Sequence, residues 1–211
     1  MPAALFDLDG VLIDSESTYT RIWDEIVSIY PTGIENFAYK IKGNTLERIL
    51  EKYFPDKDIQ EKVVKILKAR EDAMDYPIFP GVIEFLTDLK DKGIPAAIVT
   101  SSGPVKMSKL FAAHPGFRDY FGAVLTDADV TRSKPDPEGY MKAAERLGVP
   151  ASECIVFEDS YAGLQAGRSA GAMVAALATT NPRETLEDKA DVVIDGFEGV
   201  TFDALVDTIK K

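Results

Sequence analysis

Cysteine is nearly absent from this sequence of 211 residues, which contains Cys154 alone. A single cysteine excludes an intrachain disulfide framework and fits a reducing compartment. Because Cys154 begins an apolar segment, we expect a buried structural thiol rather than a reactive one. Stability must therefore come from a packed core, which 211 residues with 45% hydrophobic side chains can form.

Long apolar runs and a leader-like N-terminal segment are also lacking. No run approaches the roughly 18 apolar residues that suggest a membrane-spanning helix. No charged segment followed by an apolar one opens the sequence. We therefore expect a cytoplasmic protein that does not bind membranes.

Positive charge is scarce, since 24 lysines and arginines stand against 35 aspartates and glutamates, a formal net charge of −11. A protein that binds nucleic acid normally presents a basic face, so this balance argues against such a partner. The one histidine, His114, is expected to be a loop residue. The sequence also lacks repeats, and no Gly-x-Gly-x-x-Gly follows the first apolar segment, so a dinucleotide site has no support.

Helical periodicity without a convincing strand extends over residues 15–79. Apolar stripes at helical spacing occupy residues 18–29 and 45–53, and Val63, Val64 and Leu67 mark a third helix. A block of this length without strands predicts a helical domain inserted into the chain.

From residue 80 onward, apolar segments and amphipathic segments alternate, which is typical of βαβ units and a parallel sheet with helices on both faces. The pattern predicts an α/β fold, with a Rossmann-like parallel-sheet core of residues 1–14 and 80–211 and an α-helical cap domain of residues 15–79. The predicted core strands are residues 3–6, 94–99, 123–126, 154–157, 172–176 and 192–194, and the predicted core helices are 82–92, 105–113, 137–147, 161–170 and 202–209.

The first predicted strand ends in the sequence Phe6-Asp7-Leu8-Asp9-Gly10. In an open parallel sheet, ligands bind beyond the carboxyl ends of the strands, where Asp7 and Asp9 are expected. Two carboxylates in this position repel one another unless a cation or a proton intervenes, and a divalent metal prefers such oxygen ligands. A capped surface turn is the alternative interpretation of this pair.

Three further segments carry polar residues after an apolar stretch or before a helix. Thr100, Ser101 and Ser102 follow the second core strand. Lys134 precedes Pro135 in a proline-bounded turn that opens a helix, and the adjacent acids Glu158 and Asp159 follow the apolar residues 155–157.

Asp, Thr, Lys and Glu-Asp, in this order, resemble the four motifs of the haloacid dehalogenase-like phosphohydrolases. The motifs run from residue 7 to residue 159, so the resemblance covers most of the chain. It implies a Rossmann-like core with a cap inserted after the first strand, as in the branch that holds phosphatases and phosphomutases. Dehalogenases of this superfamily lack the second acid, whereas Asp9 is present here, which favours phosphoryl transfer.

The resemblance also implies a role for each motif residue. Asp7 is the nucleophile that forms an aspartyl-phosphate, and Asp9 is the general acid and base, with its backbone carbonyl as a metal ligand. The other catalytic residues are Thr100, which hydrogen-bonds a phosphoryl oxygen, and Lys134, which supplies positive charge. Glu158 and Asp159 complete, with Asp7 and Asp9, the ligand set of a Mg²⁺ ion, and Ser101 and Ser102 help to bind the substrate.

The cap contains a second set of candidate substrate-binding residues: Lys42, Gly43 and Arg48. Residues 41–43 resemble the substrate loop of β-phosphoglucomutases, in which a lysine and an arginine bind the distal phosphate. Leu46 stands where that arginine is expected, and Tyr19 where the mutases have a hinge histidine. Solvated charges at helix ends are the alternative interpretation of Lys42 and Arg48.

We therefore predict a monomeric Mg²⁺-dependent phosphatase that acts on a small phosphorylated metabolite such as a sugar phosphate. A β-phosphoglucomutase-type isomerase is the alternative enzyme. A non-catalytic module that binds phosphorylated ligands is disfavoured because all four motifs are intact.

Overall fold

A computed structural model of the chain describes residues 2–41 and 46–209. Within these residues the sheet has six strands, and helices alternate with the strands after a helical block. The strands are β1 (Ala3–Phe6), β2 (Ala96–Val99), β3 (Ala123–Leu125), β4 (Cys154–Glu158), β5 (Met173–Leu177) and β6 (Val192–Ile194). The α-helices are α1 (Ser15–Ile29), α2 (Phe37–Lys40), α3 (Leu46–Tyr53), α4 (Lys57–Asp72), α5 (Val82–Asp91), α6 (Pro104–Ala113), α7 (Glu138–Leu147), α8 (Tyr161–Ser169) and α9 (Phe202–Ile209).

All strand pairs are parallel, in the order β3-β2-β1-β4-β5-β6. Phe6 of β1 is paired with Ile98 of β2 on one side and with Phe157 of β4 on the other. The strands β1, β2 and β4 are buried along their whole length, as expected for a parallel sheet that helices cover on both faces. The predicted α/β fold with a Rossmann-like core is confirmed.

Aromatic packing secures the centre of this core. Phe6 stacks on Phe157 with ring centroids 4.6 Å apart, and Phe85 of α5 meets Phe157 edge to face at 5.5 Å. Phe197 packs against Phe85 at 4.8 Å. Such pairs add roughly 0.5–1.5 kcal/mol each to the burial of their area, so they hold the end of β1 in place.

The chain divides into two compact units, one of residues 1–14 and 76–211 and the other of residues 15–75. Within the second unit, Trp23, Phe37 and Phe54 form an aromatic cluster with centroid separations of 5.8 to 6.5 Å. Ile78 pairs with Ile13 in an isolated antiparallel bridge, inside the first unit.

Several element bounds differ from the predicted ones by a residue, and the second core strand and one short helix differ more. The second core strand begins at Ala96 rather than at residue 94, because the Ile94 amide still donates to the Leu89 carbonyl oxygen at the end of α5. The single turn α2 was not predicted, since four residues are too short to show a helical period.

Cys154 is fully buried, and its thiol donates to the Pro150 carbonyl oxygen at 3.4 Å. Burial, with the Glu153 charge nearby, raises the pKa of this thiol to about 11. His114 follows α6, and its Nε2 lies 2.8 Å from the Tyr76 carbonyl oxygen. In the described residues, no helix combines the length and the apolar character needed to cross a lipid bilayer.

Candidate active site

The strand order brings three polar strand ends to one edge of the sheet. Asp7 directly follows β1, Thr100 directly follows β2, and Glu158 is the last residue of β4. Because β1 lies between β2 and β4 and the three run in parallel, their carboxyl ends meet there. The hydrogen bonding between β1 and β4 continues to the first residue of the site, since the Asp7 amide donates to the Phe157 carbonyl oxygen at 2.9 Å.

Three carboxylates gather at this edge. Asp7, Glu158 and Asp159 each offer an oxygen within 4.8 Å of the other two. They are buried, with exposed fractions of 9%, 0% and 5% respectively. Like charges this close, away from water, repel one another strongly, so the arrangement requires positive charge nearby.

Lys134 supplies part of that charge. Its Nζ lies 2.5 Å from Asp7 Oδ1 and 2.7 Å from Glu158 Oε1, and it also donates to the Val99 carbonyl oxygen at 3.0 Å. The ammonium group lies 5.1 Å from the ring centroid of Tyr140. All three donor positions of the ammonium are therefore occupied, which fixes Lys134 between β1, β2 and β4.

Glu158 accepts hydrogen bonds at both of its carboxylate oxygens. Its Oε1 also accepts from the Tyr140 hydroxyl at 2.8 Å, and its Oε2 accepts from the Ser160 amide at 3.1 Å and the Ser160 hydroxyl at 2.9 Å. A Cβ built on Gly163 would lie 1.7 Å from Glu158 Oε1, so only glycine allows α8 to approach this closely. The carboxylate thus lies at the amino end of α8, where a negative charge is favoured.

Burial and neighbouring charges shift the pKa values of the three carboxyls in different directions. Burial raises the pKa of Asp7 well above its usual value; Lys134 opposes this rise and Glu158 adds to it. Burial and the Glu158 charge raise the pKa of Asp159 to about 7. At Glu158, Lys134 and the hydrogen bonds from Ser160 and Tyr140 outweigh burial, so its pKa is lowered. Two of the three carboxyls therefore resist ionisation until more positive charge is present.

These residues fit a divalent cation. Carboxylate oxygens are the ligands that such hard cations prefer, and a single lysine leaves the three acids short of positive charge. Asp7, Glu158 and Asp159 are the side chains that would hold the ion.

The Asp9 carboxylate, which the sequence predicts to lie near the same metal, is held elsewhere. Lys106 Nζ lies 2.5 Å from Asp9 Oδ1, and the Ser102 hydroxyl donates to Asp9 Oδ2 at 2.8 Å. In the part of the chain that the structure describes, the three-acid cluster does not include the Asp9 side chain. The ligand role of Asp9 therefore depends on its backbone carbonyl.

Thr100 and Ser101 lie beside the lysine. Thr100 is buried and its Oγ1 accepts from the Ser102 amide at 3.0 Å, which shapes the turn after β2. Ser101 is exposed, and together with Thr100 and Lys134 it borders a cavity of about 280 Å³. The same cavity is lined by further hydroxyl-bearing and charged residues: Thr126, Asp127, Thr131, Arg132, Ser133, Asp136 and Tyr140.

Gly10 allows the loop after β1 to pack against the acids. Its φ of +80° is a left-handed conformation that favours glycine, and a Cβ built there would lie 2.0 Å from Asp159 Oδ2. The close approach of backbone and carboxylate leaves no room for a side chain.

The candidate residues of the predicted cap fall outside the described residues or belong to the other compact unit. Lys42 and Gly43 are outside the described residues, and Arg48 is an exposed residue of α3 in the second unit. In the same unit, the Tyr19 hydroxyl donates to Glu71 Oε1 at 3.0 Å. The part of Lys42, Gly43 and Arg48 in substrate binding stays a prediction.

Ser160, Tyr140 and Lys106 are among the residues that contact the predicted ones and that sequence reasoning missed. Ser160 had a usable signal, because a serine before a helical segment is a common N-cap, and its side chain accepts from the Gly163 amide at 3.1 Å. Tyr140 occupies an apolar position of α7, so the pattern indicates only a core residue. Lys106 lies in α6 among mixed neighbours and had no signal.

Comparisons with known proteins agree with this geometry. A family model described as haloacid dehalogenase-like hydrolase matches residues 1–171. Hexitol phosphatase A of Escherichia coli K12 is 32% identical over 204 residues, which cover 93% of this chain and 92% of that protein. Validoxylamine A 7'-phosphate phosphatase of Streptomyces hygroscopicus subsp. limoneus is 31% identical over 197 residues, which cover 90% of this chain and 92% of that protein.

A solved structure of similar architecture is provisionally assigned as a β-phosphoglucomutase from Thermotoga maritima. It superposes with a TM-score of 0.80 at 27% identity, and the match covers 98% of this chain and 99% of the other. The similarity therefore extends over both compact units of the chain.

Proposed function

We propose that this chain, which belongs to the haloacid dehalogenase-like hydrolase family, is a Mg²⁺-dependent phosphatase acting on a small sugar phosphate through an aspartyl-phosphate. One observation carries the proposal: Lys134 joins Asp7 to Glu158 beside Asp159, at the carboxyl ends of the central strands. The resemblance seen in the sequence is confirmed, and so is the prediction of a hydrolytic enzyme, because the relatives include named phosphatases.

Asp7 acts as the nucleophile in this proposal. A carboxylate oxygen of Asp7 attacks phosphorus, and the bond between phosphorus and the leaving oxygen breaks. Asp9 gives its proton to that oxygen, which releases the alcohol, and then accepts a proton from the water that attacks the phosphoryl group on Asp7. The products are the free alcohol, inorganic phosphate and the original carboxylate.

Other residues stabilise charge during both steps. Lys134, already 2.5 Å from Asp7 Oδ1, neutralises charge at the phosphoryl oxygens, and Thr100 donates a hydrogen bond to one of them. Mg²⁺, when held by Asp7, Glu158 and Asp159, supplies the positive charge that lets an anionic nucleophile approach an anionic phosphate.

The choice of substrate class rests on the relatives and on the cap. Hexitol phosphatase A and the validoxylamine 7'-phosphate enzyme are named for phosphorylated polyhydroxylated metabolites, and we propose a ligand of similar size for this chain. In this proposal, residues 15–79 are a cap domain that contributes Lys42, Gly43 and Arg48 to substrate binding. A cytoplasmic location and a monomeric state stay predictions.

The activity is tested by measuring phosphate release from p-nitrophenyl phosphate and from a panel of hexose, pentose and polyol phosphates. We expect turnover with Mg²⁺, loss of turnover in EDTA and recovery when Mg²⁺ is restored. Ca²⁺ should inhibit, because its looser coordination does not maintain the in-line geometry. Full activity in excess chelator contradicts the proposal, and binding of phosphate esters without turnover favours a non-catalytic module.

Hydrolysis is expected to be faster than isomerisation of phosphosugars. A mutase must hold a second phosphate and keep water from the aspartyl-phosphate, yet Leu46 and Tyr19 stand where mutases have an arginine and a histidine. A missing arginine clamp on a desolvated phosphate weakens binding by roughly 1.5–3 kcal/mol, about ten- to a hundredfold. The assay follows glucose 6-phosphate formation from β-glucose 1-phosphate, primed by a bisphosphate, beside phosphate release. Isomerisation tenfold faster than hydrolysis would favour the mutase, with Arg48 as the replacement clamp.

Gly10→Ala is expected to reduce kcat/KM by roughly a hundredfold, because the new Cβ must push the Asp159 carboxylate by an ångström or so. Gly171→Ala is the matched control: its φ of +81° nearly equals that of Gly10, but a Cβ at this position would have no neighbour within 4 Å. Both variants should lose about 1–2 kcal/mol of unfolding free energy from the left-handed backbone. Equal activity of the two variants would show that contact with Asp159 is unimportant.

A further inference from the structure

We propose that Thr179, Thr180 and Asn181, which follow β5, are positioning residues that hold the metal-binding carboxylates in place. None of the three belongs to the motifs identified in the sequence. The inference rests on the metal site of the proposed function. In this inference, the loop after β5 contacts both the loop after β1, which follows Asp7, and the loop after β4, which contains Asp159.

The first contact is a hydrogen bond from Thr179 to the loop after β1. The Thr179 hydroxyl donates to the Gly10 carbonyl oxygen at 2.5 Å, across 169 positions of sequence. Gly10 closes the short stretch that starts with the nucleophile Asp7 and includes Asp9. Thr179 therefore restrains the backbone on which both of these acids are carried.

The other two residues, Thr180 and Asn181, lie against Asp159. The Thr180 hydroxyl lies beside the Asp159 carboxylate: a Cβ built on Gly10 would be 2.0 Å from Asp159 Oδ2 and 2.8 Å from Thr180 Oγ1. The Asn181 side-chain amide donates to the Asp159 carbonyl oxygen at 2.8 Å. Asn181 thus holds the Asp159 backbone, and Thr180 places a hydroxyl next to the Asp159 side chain.

The sheet topology explains why the loop after β5 lies close to the acids. β5 is the neighbour of β4 in the sheet and is parallel to it, so the chain leaving β5 emerges beside Glu158 and Asp159. Hydroxyl and amide groups carry no net charge, so they can orient a carboxylate without competing with a cation for it as a lysine would. Groups of this kind, which orient metal ligands from outside, typically contribute ten- to a hundredfold to metal affinity.

The test measures Mg²⁺ binding to the full chain by titration calorimetry, with Mn²⁺ binding followed by electron paramagnetic resonance as a second readout. Thr180→Val removes the hydroxyl and nearly conserves the volume of a largely exposed side chain, so it should not disturb the core. We expect its Kd for Mg²⁺ to rise about ten- to a hundredfold, and Thr180→Ser to restore most of the affinity. Asn181→Ala should weaken binding to a similar degree.

Thr208→Val is the matched control, because Thr208 is an exposed residue of α9 whose hydroxyl donates to the Ala204 carbonyl oxygen at 2.9 Å. Its affinity for Mg²⁺ should equal that of the unaltered chain. Phosphate release at saturating Mg²⁺ should largely recover in Thr180→Val, with the effect confined to the Mg²⁺ concentration needed for half activity.

The outcomes separate this inference from the proposed function. If the unaltered chain binds Mg²⁺ and Thr180→Val and Asn181→Ala bind it equally well, the positioning role is wrong while the phosphatase proposal stands. If the unaltered chain binds no divalent cation, both are wrong. Weaker binding by Thr180→Val that Thr180→Ser does not restore would also overturn the role of the hydroxyl.

Discussion

Asp7→Asn is expected to abolish phosphate release, with kcat lowered by about 10³-fold or more. The amide has nearly the shape of the carboxylate but cannot form the acyl-phosphate bond, so the first chemical step is lost. Burial already disfavours the ionised form of Asp7, as its raised pKa indicates. An uncharged side chain of equal size should therefore be tolerated at this position, apart from the lost ion pair with Lys134.

The measurement determines kcat for the best substrate of the panel and, separately, thermal unfolding in chelator. Each quantity is compared between the variant and the unaltered chain. Asp207→Asn, at an exposed position of α9, makes the same chemical change away from the site and should leave both quantities unchanged. Retention of more than about a tenth of kcat by Asp7→Asn is incompatible with covalent catalysis at Asp7. If Asp7→Asn does not fold, Asp7→Ser provides a second test. Serine is smaller, and it also lacks the carboxylate that would be phosphorylated.

Much of the fold could be predicted because each core element has a strong local signal. Short buried apolar segments such as residues 3–6 and 155–157 are typical of strands in a covered parallel sheet, and their alternation with helices indicates the topology class. Given that class, the polar residues at the carboxyl ends of β1, β2 and β4 lie at one edge of the sheet. The strand order, which was not predicted from the sequence, then places Asp7, Thr100 and Glu158 on neighbouring strands.

The rest of the site depends on loop conformation, for which the sequence has no comparable signal. The segment Thr179-Thr180-Asn181 is typical of an ordinary polar loop, and its contacts with Gly10 and Asp159 follow from the particular turn after β5. The position of Asp9 is a similar case, because a neighbouring helix supplies Lys106 from 97 positions away. Spacing along the chain cannot show which surface lysine will meet which carboxylate.

Lys134→Met is expected to lower kcat by roughly 10²–10³-fold, the usual effect of removing one preorganised donor from a transition state. The substitution leaves the buried acids Asp7 and Glu158 without the cation that lies 2.5 Å and 2.7 Å from them. Removing one partner of a buried ion pair typically lowers the free energy of unfolding by about 3–5 kcal/mol. In chelator, this variant should therefore be much less stable than the unaltered chain.

Mg²⁺ should partly reverse that loss, because it supplies positive charge to the same carboxylates. A ligand that binds only the folded state adds about 2.7 kcal/mol at a concentration of one hundred times its Kd. Urea unfolding with Mg²⁺ and with EDTA measures this response. Lys142→Met is the matched control, since Lys142 Nζ lies 2.6 Å from Glu138 Oε1 in a partly exposed pair, where solvent screens the attraction and its loss should lower stability much less. If the two variants lose equal stability, or if Mg²⁺ stabilises neither, Lys134 does not serve as the counter-charge of a metal-binding cluster.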